Sequence, residues 1–275
     1  MGAVTHAFTT PTTVVISPHL DDAVLSAWSV LSSSEPIRVV TVYAGIPAPG
    51  FVTDLDRAHG AHESAAWLRR RRAEDIAALA LAGCEPVHLD LLEVQFPAYG
   101  LPVVRERVAR DPSAFLPIVV QESLLRTDPD EIVRLVHDDV PPDAVVYGPG
   151  GIGRHPDHRD VGEAVVRLLG RVREVRLYAD SPYYLFRGLP SWLNVVPNSE
   201  ADEWCDAALP PLVRDCSSLI RRVVRLDDEA LESKWAALEC YRTELPSIVD
   251  DMRRFGISRE WMRYETFWTV GDDAT

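Results

Sequence analysis

Thr13-Val14-Val15-Ile16-Ser17-Pro18-His19-Leu20-Asp21-Asp22 places a His and two adjacent carboxylates directly after a β-branched run. Such a run predicts a buried strand over 13–17. Val24, Leu25, Trp28 and Leu31 then share one helical face, and Ile37-Arg38-Val39-Val40-Thr41-Val42 follows as a second strand. Strand, helix and strand at this spacing make a βαβ unit, whose strands must run parallel. His19, Asp21 and Asp22 therefore sit where a parallel strand hands over to a helix, and that is where open α/β sheets carry their chemistry.

The same rhythm continues downstream. A long helix is predicted over 62–82, ending at Gly83, with a strand over 86–89. Asp128-Pro129-Asp130-Glu131 has the cap, proline and acidic residue of a helix start. Strand 144–147 leads into Gly148-Pro149-Gly150-Gly151-Ile152-Gly153-Arg154-His155-Pro156-Asp157-His158. Val161, Ala164, Val165, Leu168 and Leu169 then mark a helix closed by Gly170, and a strand follows over 174–179. The expected fold is α/β, a Rossmann-like doubly wound and mainly parallel sheet. Its core covers about 13–180. Segments 91–127 and 181–275 break the rhythm, are rich in proline, and concentrate aromatics such as Tyr183, Tyr184, Phe186, Trp192 and Trp204. They read as a substrate-facing cover, 181–275 forming a C-terminal extension of a single domain spanning 1–275.

The 42 acidic and 28 basic residues give a net charge of -14, which disfavours nucleic acid and anionic membranes as partners. No span approaches the roughly 20 apolar residues of a membrane helix, and the first residues lack a basic and apolar leader. A cytoplasmic protein acting on a small molecule is expected, compatible with a homo-oligomer. Cys84, Cys205, Cys216 and Cys240 are irregularly spaced, so a bound metal must take nitrogen and oxygen ligands.

His19 and Asp22 converge at the first turn of a helix, yet an Asp there is commonly only a cap. His155-Pro156-Asp157-His158 offers little to hydrophobic packing, although a solvated loop with Asp157 or Asp160 as cap would also account for it. Loops at the carboxyl ends of core strands meet in one crevice, so the two clusters together point to one divalent-metal site. Gly148-x-Gly150-x-x-Gly153 also matches a dinucleotide fingerprint, but Pro156 interrupts the helix that the fingerprint requires. His19-x-Asp21 with a distant His would suit a facial-triad iron oxygenase, although the βαβ rhythm argues for another fold. The run Arg69-Arg70-Arg71-Arg72 reads as a solvated helix face.

His19-Leu20-Asp21-Asp22 and His155-Pro156-Asp157-His158 together resemble the signature motifs of the LmbE-like, or PIG-L, N-acetylglucosaminyl deacetylases. Arg71-Arg72-Ala73-Glu74 resembles that family's Arg-x-x-Glu helix. Leu20 and Ala23 depart from the commoner His-Pro-Asp-Asp-Glu motif without touching a ligand or the base. The resemblance implies an LmbE-like fold and one zinc per chain held by His19, Asp22 and His158. It implies Asp21 as general base, a protonated His155 as general acid or oxyanion donor, Asp157 orienting His155, and Arg71 contacting substrate. The implied reaction is zinc-dependent removal of an N-acetyl group from an amino-sugar-containing small molecule, in the biosynthesis of an antibiotic or thiol. The alternatives are an amidase cleaving an amino-sugar thiol conjugate and, more distantly, an NAD-dependent Rossmann enzyme or a catalytically silent carbohydrate-binding module.

Overall fold

The computed structural model describes residues 12–111, 114–115, 126–193 and 196–271. Strand β1 (Thr13–Ser17) is buried throughout and leads through a short turn into helix α1 (Asp22–Leu31). Then come β2 (Ile37–Thr41), the short α2 (Asp54–Ala58), the long α3 (Ser64–Ala82) and β3 (Glu85–His88). Two short helices, α4 (Gln95–Tyr99) and α5 (Pro102–Val108), occupy the first irregular segment. The core resumes with α6 (Pro129–Val136), β4 (Val145–Pro149), α7 (Pro156–Val166) and β5 (Glu174–Tyr178). The extension supplies α8 (Ser199–Asp206), β6 (Ile220–Arg225), α9 (Asp228–Leu238), α10 (Leu245–Arg254) and β7 (Tyr264–Val270).

Among the described residues these strands form one seven-stranded sheet in the order β3-β2-β1-β4-β5-β7-β6. β1 pairs in parallel with β2 and with β4, in register Val15↔Val39 and Val15↔Tyr147. The chain order reverses between β1 and β4, and the crevice of a doubly wound sheet opens at that point. The loops after these two strands are the two His/Asp clusters. The α/β class and the mainly parallel sheet expected from the sequence are therefore observed.

The extension does more than cover the core. β7 runs antiparallel to β5, with Leu177 opposite Trp268, and β6 in turn pairs antiparallel with β7. β6 is almost wholly exposed and carries Arg221, Arg222 and Arg225, charges that discourage further strand pairing at an open edge. These strands escape the rhythm because an antiparallel return needs no crossover helix. The main core lies between the sheet and its helices, from Val14 and Ile16 to Phe267 and Trp268. A smaller cluster, Val94, Ala98, Val104, Val108 and Phe115, stabilises α4 and α5 above the crevice. None of the described helices is long and apolar enough to cross a membrane.

α1 is bent at Ala27, where the backbone leaves helical values (φ -138°, ψ 31°). The N–H groups of Trp28 and Ser29 are freed from the helix and both donate to the Glu265 carboxylate on β7, each at 2.8 Å. Lys234 on α9, fully buried, donates to Glu265 Oε1 at 2.9 Å and to the Met262 carbonyl at 3.1 Å. The extension thus satisfies backbone donors inside the helix that begins with Asp22.

Candidate metal centre and active site

Pro18 follows β1 directly, and the chain turns so that Asp21 occupies the N-cap position of α1 without its side chain making a capping bond. The Asp22 Oδ2 atom instead accepts from the His19 N–H at 2.9 Å, which folds the turn around that oxygen. In the second loop His155 is the N-cap of α7, its Nδ1 accepting from the Asp157 N–H at 3.2 Å, with Pro156 in the first turn. Neither Asp157 nor Asp160 serves as the cap. Asp160 is buried and accepts from Arg126 and from the Thr127 N–H.

The two loops meet as the sequence predicts. His19, His155 and His158 bring ligand atoms within 4.8 Å of one another. His19 Nδ1 and His158 Nε2 stand 3.2 and 3.3 Å from the same Asp22 oxygen, Oδ2. Ligands about 2.0–2.1 Å from a tetrahedral ion lie about 3.3–3.4 Å apart, so each nitrogen stands at about that spacing from Asp22 Oδ2. His158 Nε2 is buried and lacks a hydrogen-bond partner, as a lone pair reserved for a metal would be. Both rings are held from behind: His19 Nε2 donates to Asp157 Oδ2 at 2.9 Å, and His158 Nδ1 donates to Asp180 Oδ1 at 2.6 Å. A carboxylate behind each ligating imidazole sets its tautomer and raises its basicity. The residues present fit a divalent cation.

Charge separates the imidazoles by role. Burial alone would depress His19 and His158, but Asp157 and Asp22 hold His19 well above its ordinary range, while Asp22 and Asp180 raise His158 to about 9. Burial would raise Asp22, yet His158 and His19 pull it well below its usual value. A cluster that draws protons this strongly is one that a divalent cation would discharge on binding. Burial dominates at His155 and, with His19 and His158 nearby, lowers it to about 3. The protonated His155 expected from the sequence is therefore neutral in this site, with Nδ1 accepting from backbone and the proton on Nε2. Asp157 orients His155, as expected, through its backbone N–H. Its carboxylate orients His19 and accepts from the Val94 N–H at 3.0 Å.

A cavity of about 500 Å³ opens over the cluster. Asp21 faces it, raised to about 7 by burial and by neighbouring Asp22 against the pull of Arg71. Arg71 also lines it, buried between Glu93 (2.5 Å) and Glu244 (3.3 Å). Its neighbours in the arginine run divide differently. Arg69 and Arg70 are exposed, while Arg72 donates to the Ala44 and Leu89 carbonyls. Glu74 accepts from the Thr243 N–H and hydroxyl, holding the stretch that presents Glu244 to Arg71. Of the five aromatics singled out in the sequence, Tyr183 and Phe186 line the cavity. Tyr184 is core, Trp192 packs with Arg221 and Trp268, and the Trp204 indole donates to the Tyr183 carbonyl.

Sequence reading missed Asp180, Glu93, Glu244 and Phe255. Asp180 was visible only as an acidic residue at the end of a strand, Glu93 lies in an irregular segment, and Glu244 and Phe255 flank a helix whose apolar spacing marks its packing face but not its place at the site. The glycines of the apparent dinucleotide fingerprint serve close packing. A Cβ on Gly148 would lie 2.5 Å from Val165, and one on Gly153, at φ +90°, would lie 2.8 Å from the Tyr183 ring.

Similarity to known proteins agrees with this geometry. Among solved structures the chain resembles a deacetylase-bog complex of the teicoplanin biosynthesis pathway, with 25% identity, 94% of this chain and 96% of that chain covered, and a TM-score of 0.61. It shares its fold with the A40926 pseudoaglycone deacetylase Dbv21 (23% identity, 97% and 100% covered, TM-score 0.58). The zinc-inhibited form of teicoplanin deacetylase Orf2 has that fold too (24%, 94% and 97%, 0.60). No curated protein matches the chain by sequence. The family described as PIG-L, GlcNAc-PI de-N-acetylase, matches residues 14–169, the stretch that carries both His/Asp loops and the Arg71 helix, and the chain belongs to that family.

Proposed function

We propose that the protein is a zinc-dependent hydrolase that removes an N-acetyl group from an amino sugar carried on a larger small molecule, acting in the cytosol. The observation that carries this reading is Asp21, a carboxylate free of capping duty that lines the same cavity as His19 and Asp22, two members of the His19–Asp22–His158 donor set. We assign those three residues as the ligands of one zinc per chain. His155 stands apart from the set because its Nδ1 is already engaged by backbone and its surroundings keep it neutral.

Lewis acidity, which acidifies water and polarises an amide carbonyl, is what the metal supplies when bound. Asp21 takes the proton of the attacking water, a task suited to a base near neutral pH. The His155 Nε2–H donates to the carbonyl oxygen as negative charge develops there. Asp21 then returns its proton to the amine nitrogen, the C–N bond breaks, and acetate leaves. We assign Arg71, held by Glu93 and Glu244, to contact with the sugar.

Support for the sugar comes from family membership, and support for a biosynthetic glycoside from the likeness to the teicoplanin-pathway deacetylase. A binding module without turnover would have no use for a base beside a metal site. Acetate release by the zinc-loaded protein tests the reading. Turnover of an N-acetylglucosaminide above that of N-acyl amino acids and acylated peptides is expected, and the reverse order would overturn the sugar assignment.

A further inference from the structure

The cavity is not uniform. Beside His158 a row of aromatic rings leads outward: Tyr183 meets His158 edge-on at 5.5 Å, Phe186 meets Tyr183 at 5.3 Å, and Phe255 stacks on Phe186 at 3.9 Å and 14°. All three are partly buried and packed on the main core, so the wall is rigid. Leu55, Val94 and Phe115 line the cavity too. Phe255 closes α10, whose Ser247, Ile248, Asp251 and Arg254 also line the cavity and lie beyond the stretch matched by the family.

Carboxylates in the same cavity outnumber its arginines, with Asp21, Asp22, Asp56, Glu93, Glu244 and Asp251 against Arg71 and Arg254. Arg71 is already matched by two of these carboxylates, and Arg254 is exposed and lies 5.5 Å from the Phe255 ring. A phosphate-bearing group in the outer part of the cavity, away from the metal ligands, would meet Glu93, Glu244 and Asp251 without an unmatched buried cation to receive it.

Building on the deacetylase reading, we infer that the Tyr183–Phe186–Phe255 wall is the subsite for the group attached to the sugar, and that this group is an uncharged aromatic or apolar aglycone rather than a phosphodiester. The GlcNAc-PI of the family description carries a phosphodiester, so this chain's own extension redirects the shared chemistry to a different glycoside.

The test compares three probes: N-acetylglucosamine, phenyl N-acetyl-β-glucosaminide and N-acetylglucosamine 1-phosphate. Calorimetric binding and acetate release are both measured. The phenyl glycoside should bind at least about tenfold more tightly than the free sugar, the scale of one well-placed ring contact with its buried area. The 1-phosphate should bind no better than the free sugar. Phe255→Ala should bring the ratio of phenyl glycoside to free sugar towards one, in binding and in kcat/KM. Should Phe255→Ala fail to fold, Phe186→Leu, which keeps bulk but loses the flat face, should lower the same ratio. Equal binding of phenyl glycoside and free sugar, a ratio unmoved by both variants, or preference for the 1-phosphate overturns the subsite. Tight phenyl glycoside binding without acetate release from any probe would overturn the reaction and leave the subsite standing.

Discussion

Asp21 and Asp22 are neighbours in sequence and opposites in chemistry. Two imidazoles surround Asp22 and hold it ionised, whereas Asp21 is raised to about 7 by burial and by Asp22 itself. Replacing Asp21 with Asn should leave metal content unchanged and lower kcat by roughly 10²–10⁴, measured by acetate release and metal analysis on one preparation. The same substitution reports on stability. With a carboxyl raised from 3.8 to about 7 in the folded state, the native protein retains a proton that the unfolded chain has lost, so stability falls as pH rises through this window. In chelated protein Asp21→Asn should therefore raise Tm more at pH 8 than at pH 5, and an equal gain at both would contradict the burial argument. Asp180 makes its contribution through His158. Asp180→Asn should weaken zinc binding about 10- to 100-fold, whereas His158→Ala should abolish tight binding and serine at all four cysteines should leave it intact. Competition against a chelator of known affinity distinguishes the three.

Helix α1 carries Asp22 and is broken at Ala27, and the break is sustained by a carboxylate from another element. Glu265 and Lys234 form an ion pair with both side chains almost fully buried. Removing one charge leaves the other unpaired in the interior, so Lys234→Met should cost about 3–5 kcal/mol in denaturant unfolding. A loss below about 1 kcal/mol would show that Glu265 holds α1 without its lysine. The loop after β4 depends on a glycine for two independent reasons. Gly153 has φ +90°, and its missing Cβ leaves room for the Tyr183 ring. Gly153→Ala should destabilise by roughly 1–3 kcal/mol and displace Tyr183 from the cavity wall, seen as a raised KM with metal content retained.

The sheet unites core and extension. β7 completes hydrogen bonding along β5 and delivers Glu265 to α1, while Thr243 and Glu244 reach back to Glu74 and Arg71 on α3. A chain cut after residue 180 would expose the β5 edge, leave the Trp28 and Ser29 N–H groups without Glu265 and open one side of the cavity. It should lack a cooperative calorimetric transition, and a sharp transition in that fragment would show that residues 13–180 fold independently.

The strands over 13–17, 37–42 and 144–147 and the helix caps at Asp128 and Gly83 were legible because burial on both faces demands unbroken β-branched runs and caps demand particular side chains. The ligand candidates were legible for a similar reason, since His and Asp side by side at two strand ends serve packing poorly. Several boundaries moved, the helix expected to run to Gly170 ending at Val166, where local turn bonding takes over. Partnership was not legible. Nothing local in Asp157-His158 shows that the carboxylate turns to His19, 138 residues away in sequence, or that Asp180 stands behind His158. The neutrality of His155 and the raised carboxyl of Asp21 arise from burial, which exists only once the chain has closed over them. Residue type and spacing record what a segment can do by itself; which atoms it meets, and how much water it keeps, is set by contacts distant in sequence that no local pattern encodes.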